Sequence, residues 1–193
     1  MKRFTPILTL VAVCWVVFAV NNLILGGTLT PHGIIPRRIS SLPGIIWSPF
    51  LHASFGHLAA NTLPLLILGG ILCARSRAEF IGVTAGGIFI GGGLVWLLAR
   101  NADHVGASGL IFCYFGFLTS RAWFDRTIFT FCLALICMVG YGGILIGLLP
   151  VFPGVSWEGH LAGLVAGVAS ARMIASKSRH EEAAGLPNLN KAG

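Results

Sequence analysis

IFTFCLALICMVGYGGILIGLL, residues Ile128 to Leu149, decides the fold class. The run carries no charged side chain. Wound as an α-helix at 1.5 Å per residue it is about 33 Å long, enough to cross the hydrocarbon core of a bilayer. A surface helix of a soluble protein needs one polar face, and this run offers none.

The same texture recurs on either side. Apolar stretches run from about Pro6 to Gly26, Phe55 to Ala74, Phe80 to Ala99, Val105 to Ser120 and Trp157 to Ser176. Together with the quoted run they predict an all-α integral membrane protein, a six-transmembrane-helix bundle. Across the 193 residues 55% are hydrophobic and only 10% charged, with a mean hydropathy of +0.86. Soluble domains carry about a quarter charged residues, so there is too little charge here to coat a globular surface. The fourth stretch is short: about 24 Å of helix, which starts its first turn below the membrane surface.

Met1-Lys2-Arg3 resembles the charged start of a signal peptide, but the apolar run behind it is longer than a signal's and reads as an uncleaved first helix. Between Gly27 and Leu51, Pro31, Pro36, Pro43 and Pro49 forbid a continuous helix. This is a long first loop, with Trp47 suited to an interface. Residues 1–176 form the membrane domain, and 177–193 read as a polar, flexible cytoplasmic tail.

With both termini on one side, Lys2, Arg3, Arg75, Arg77, Arg121, Arg126, Lys177, Arg179 and Lys191 fall together, against Arg37, Arg38 and Arg100 on the other; Arg172 lies near the inner end of the sixth run. Nine against three puts the termini in the cytoplasm and the long loop outside. Compact length and the lack of an organelle-targeting segment suggest a prokaryotic plasma membrane. The net charge of +7 is spread in ones and twos between apolar blocks, so it argues for membrane orientation and not for nucleic acid. Five scattered cysteines with no CxxC spacing support neither a zinc site nor a disulfide framework.

Polar groups inside spans are costly in lipid and face the bundle interior or a wet cavity. Three groups fall at the outer ends of three spans. In Gly106-Ala107-Ser108-Gly109 a serine flanked by glycines opens a helix, where free backbone N–H groups can bind an oxyanion. Alone, such a serine more often bonds the carbonyl one turn back. In Gly159-His160-Leu161-Ala162-Gly163, Gly163 and Gly167 share a helix face with His160 and permit close helix approach. That approach would bring the imidazole to Ser108 as a general base. In the segment from His52 to Asn61, His57 and Asn61 lie one turn apart on one face, both able to donate, with Ser54 as N-cap and His52 outside the helix. The bland alternatives are a glycine packing motif, or metal carriage by His52, His57, His104 and His160; the latter lacks carboxylate or thiolate co-ligands at metal spacing.

Taken together, H-x-x-x-N in the second span, G-x-S-G opening the fourth and H-x-x-G in the sixth resemble the rhomboid family of intramembrane serine proteases. The resemblance covers roughly Gly33 to Gly167. It implies a Ser108–His160 dyad that cleaves peptide bonds in or near transmembrane segments of other proteins, without metal or other cofactor. It further implies an oxyanion site from the Ser108 N–H (within Gly106-Ala107-Ser108), His57 and Asn61, with His52, Gly163 and the ring of Phe112 in support. Phe112 stands where a tyrosine is common in the family. The expected partners are transmembrane substrates and the lipid bilayer; the oligomeric state is left open. Two departures stand out: the first loop lacks the family's Trp-Arg pair and has Pro36-Arg37-Arg38 and a separate Trp47, and Gly159 replaces the usual alanine before the histidine. Glu158 and Asp103 read as interfacial charges, not as a third catalytic member. An inactive relative would be expected to lose Ser108 or His160; this chain keeps both.

Overall fold

The structure, a computed structural model, describes residues 2–183. It is all-helical among those residues apart from a single antiparallel bridge between Ile34 and His104. The long helices are α1 (Thr5–Leu23), α2 (Phe55–Arg75), α3 (Arg77–Leu98, continuous through a π-turn at Gly87–Gly91), α4 (Ser108–Asp125), α5 (Ile128–Tyr141, prolonged by a 3-10 segment Gly142–Leu148) and α6 (Trp157–Ala183). By length and composition α1, α2, α3 and the run Ile128–Leu148 can cross a membrane.

α4 is the axis of the bundle. Every residue from Leu110 to Leu118 is buried, so this helix is enclosed on all sides and needs no lipid-facing stripe. It starts at Ser108, three residues later than the apolar pattern suggested, because Gly106 takes φ +118° and the helix winds only after it. α6 lies against it. A methyl group on Gly163 would collide with the Gly109 carbonyl, and one on Gly167 with the Cys113 carbonyl. The glycines therefore let two backbones touch, as close-packed membrane helices require. α6 also continues past Ser176, where the membrane domain was expected to end; residues 184–193 lie outside the described part.

Helix starts differ in a way that matters for the site. Ser54 accepts the His57 N–H at the start of α2, Ser76 the Glu79 N–H at α3, Thr127 the Thr130 N–H at α5, and Ser156 the Gly159 N–H at α6. α4 has no side-chain cap; its N-cap is Ala107.

The connection from α1 to α2 is a series of single turns pinned to the end of α3. Ile34 and His104 exchange two backbone bonds of 3.0 Å. The Arg37 guanidinium donates to the carbonyls of Leu97 (3.2 Å) and Ala99 (2.9 Å), and the Trp96 indole donates to the Arg38 carbonyl (2.9 Å). Arg37 thus satisfies carbonyls that the end of α3 leaves without intrahelical partners. At the opposite end of the bundle Arg75, Glu79, Arg121 and Asp125 form a closed ring of four ion pairs, the tightest being Arg121–Asp125 at 2.8 Å and Arg75–Glu79 at 3.0 Å. It ties the ends of α2, α3 and α4 together.

Candidate active site

The Ser108 hydroxyl stands on the first residue of α4, where the Ser108 and Gly109 N–H groups have no helical acceptor and the Leu110 N–H bonds the Ala107 carbonyl at 2.9 Å. Gly106 reaches its positive φ with its N–H bonded to the Ser48 carbonyl at 2.9 Å. The Ala107 N–H points at His52 Nε2, 3.4 Å away. That contact leaves the His52 proton on Nδ1. His52 is 2% exposed, and burial, helped by the nearby His57, pushes its pKa down to about 4. It is a neutral strut under the serine turn.

Ser108 Oγ lies 2.9 Å from His160 Nε2. The other ring nitrogen, Nδ1, is 2.8 Å from the Gly147 carbonyl oxygen, which can only accept. The proton of the neutral ring is therefore on Nδ1, and Nε2 offers a lone pair to the serine. Phe112 stacks flat on the imidazole, ring centroids 4.3 Å apart and planes 10° from parallel. Packing thus restrains the ring from its face while the carbonyl restrains its rotation.

On the opposite wall, α2 presents His57 and Asn61. A methyl on Gly106 would lie 2.6 Å from the His57 ring and 3.6 Å from Asn61 Nδ2, so both side chains crowd over the turn before the serine. Asn61 is 6% exposed and its Nδ2 has no hydrogen-bond partner. A buried amide donor without an acceptor is unusual enough to suggest that a ligand supplies one. Ser108, His160, His57, Asn61, Phe112 and Gly147 line one open cleft of about 590 Å³.

Neither acid joins the pair. Glu158 faces Arg100, 3.4 Å away. Asp103 sits on the cleft rim in the turn before α4. Of the four histidines weighed as metal ligands, His104 is bonded to Ser156 and the Arg100 carbonyl and His160 to Ser108 and Gly147. Among the described residues no group of three His, Cys, Asp or Glu side chains could hold a metal ion. Sequence reasoning missed Gly147, since a backbone carbonyl leaves no mark in side-chain chemistry; only the glycine-broken end of the Ile128–Leu149 run hinted at an irregular backbone there.

Residues 40–177 match the family profile described as the Rhomboid domain. Among curated relatives, the uncharacterized protein Rv1337 of Mycobacterium tuberculosis is 39% identical over 98% of this chain and 80% of its own length. Uncharacterized protein Mb1372 of Mycobacterium bovis matches to the same extent. Uncharacterized protein ML1171 of Mycobacterium leprae is 37% identical over 92% of this chain and 73% of its own. With the profile covering most of its length, this integral membrane protein belongs to the rhomboid family.

Proposed function

We propose that the protein is an intramembrane serine endopeptidase working through a Ser108–His160 dyad. The observation that carries the reading is the 2.9 Å contact between Ser108 Oγ and His160 Nε2, with Nδ1 held by the Gly147 carbonyl. A base already in the right tautomer, within hydrogen-bond reach of a hydroxyl, is what a serine needs to act as a nucleophile.

In this scheme Nε2 takes the hydroxyl proton as Oγ attacks the scissile carbonyl carbon. The carbonyl oxygen becomes an oxyanion that accepts from the Ser108 N–H, the Asn61 amide and the His57 ring. The tetrahedral intermediate collapses, the C–N bond breaks, and the imidazolium gives its proton to the leaving amine. Water then gives a proton to Nε2 and attacks the acyl-serine. Its collapse releases the new carboxyl end and returns the proton to Oγ. Desolvation inside the bundle strengthens each of these polar contacts.

The substrates on this reading are transmembrane segments of other membrane proteins. The chain crosses the bilayer six times, with α4 and α6 completing the four helices apolar enough to cross unaided. Both termini are cytoplasmic, and the cleft opens outward past the long first loop. The ion-pair ring then lies at the cytoplasmic end, and the membrane is a prokaryotic plasma membrane. Incubating the detergent-solubilised protein with a fluorophosphonate probe tests the reading. Label on Ser108 that vanishes in Ser108→Ala is expected; no label, or equal label in that variant, overturns it.

A further inference from the structure

A second serine–histidine contact lies one helical turn upstream of the first. His104 Nδ1 is 2.6 Å from Ser156 Oγ, and His104 Nε2 is 3.0 Å from the Arg100 carbonyl. His104 precedes Ser108 by four residues, and Ser156 precedes His160 by four.

The donor assignment is unique for the neutral ring. The Arg100 carbonyl can only accept, so Nε2 carries the proton and Nδ1 is an acceptor. The Ser156 hydroxyl must then donate to Nδ1, while its oxygen accepts the Gly159 N–H at 3.1 Å. The His160 backbone N–H is in turn bonded to the Ser156 carbonyl at 3.1 Å. One residue thus holds His104 through its side chain and the proposed general base through its backbone. On the other side His104 is fixed by its paired backbone bonds to Ile34, and it is 5% exposed.

The glycine contacts between α4 and α6 set how near the two helices lie, but a smooth backbone interface resists sliding poorly. A half-buried side-chain bond between the segments leading into both helices fixes their axial register. Arg100 adds a second tie, its guanidinium donating to the Val155 carbonyl at 2.8 Å. We propose that His104 and Ser156 are positioning residues that hold Ser108 and His160 in register. The inference rests on the dyad reading above.

A misplacement of about 1 Å at a reacting pair can lower turnover roughly a hundredfold. The test measures kcat and KM for a transmembrane-segment substrate in His104→Leu, His104→Asn, Ser156→Ala, Ser156→Thr and His104→Leu/Ser156→Ala, with Tm in detergent for each. Asparagine can set a carbonyl oxygen near the place of Nδ1, and threonine keeps the hydroxyl. The expected result is kcat down about tenfold to a hundredfold in His104→Leu and in Ser156→Ala. KM stays within about twofold, the double variant is no worse than the worse single one, and His104→Asn and Ser156→Thr retain most of the wild-type turnover. His104→Leu leaves the Ser156 cap on α6 intact, so it separates register from capping. Wild-type turnover in His104→Leu, or a loss that neither conservative variant avoids, overturns the inference while leaving the dyad in place. A wild-type protein that neither cleaves nor labels overturns both.

Discussion

Gly147 gives its carbonyl oxygen to His160 Nδ1 at 2.8 Å, from a segment where the fifth apolar run has tightened from α to 3-10 winding. Gly147 stands at the end of that run, just before Pro150, so no following helical N–H claims its carbonyl and the tightened winding leaves it for the imidazole. A residue with no side chain thereby sets the tautomer of the proposed base.

Gly147→Ala tests that dependence. The new methyl would stand 2.9 Å from His160 Nδ1 and 3.3 Å from the Phe112 ring. It displaces the imidazole from a stacked position, and kcat is expected to fall at least tenfold with KM little changed. Steady-state cleavage and the rate of fluorophosphonate labelling check it.

Ser108→Ala and His160→Ala are each expected to abolish cleavage and labelling. Because the two groups act as one unit, the double variant is no worse than either alone. Tm in detergent should hold within a few degrees for Ser108→Ala, which removes a half-buried hydroxyl from a helix start and opens no large cavity.

Asn61→Leu separates stability from activity. The amide nitrogen is buried without an acceptor, an arrangement that leaves about 1–3 kcal/mol of desolvation uncompensated. Replacing it by an apolar group of similar volume should hold or raise Tm. At the same time one oxyanion donor is lost, and kcat should drop by about 10- to 1000-fold. A thermal melt and a turnover assay on the same sample read both.

Gly163→Val should fail at the level of the fold. Its side chain would enter the Gly109 carbonyl, a backbone neighbour that cannot swing aside. Overpacking of this kind destabilises by about 1–3 kcal/mol or more, and the displaced α6 carries His160 with it. Loss of folded yield together with activity is the expected outcome.

His52 makes stability pH-dependent in a stated direction. Its folded pKa of about 4 lies below the ordinary histidine value of 6.5. Between those values the unfolded chain binds a proton that the folded one does not, so the stability contributed by His52 falls as pH falls from about 6.5 and levels off, fully spent, below about 4. At pH 5 the loss is about 2 kcal/mol. Tm in detergent between pH 7.5 and 5 should decline more steeply in the wild type than in His52→Gln.

Much of this architecture was legible in the sequence because lipid is a strict solvent. The charge-free run from Ile128 to Leu149 admits few structures, and the spacing of His57 to Asn61 and of His160 to Gly163 and Gly167 puts each pair on one helix face. What stayed hidden was backbone chemistry and long-range pairing. Nothing in the sequence says that the Gly147 carbonyl turns inward. His104 reads there only as a weak metal candidate, because its partner Ser156 lies 52 residues away on another segment. Arg37 departs from the family's first-loop pattern, yet it ties that loop to the end of α3 through the Leu97 and Ala99 carbonyls. Apolar periodicity places the start of α4 early because it cannot register the positive φ at Gly106.

The bare start of α4 has a consequence for ligand binding. Ser54, Ser76, Thr127 and Ser156 each give a side-chain oxygen to the first turns of α2, α3, α5 and α6, whereas at α4 the Leu110 N–H turns back to the Ala107 carbonyl and the Ser108 and Gly109 N–H groups keep no acceptor. A peptide carbonyl bent over Ser108 would supply the missing acceptor, and the substrate would become, for the length of one turnover, a piece of the protein's own secondary structure. The resting molecule in that sense holds donors, the Ser108 N–H and the Asn61 amide among them, whose acceptor a guest would bring.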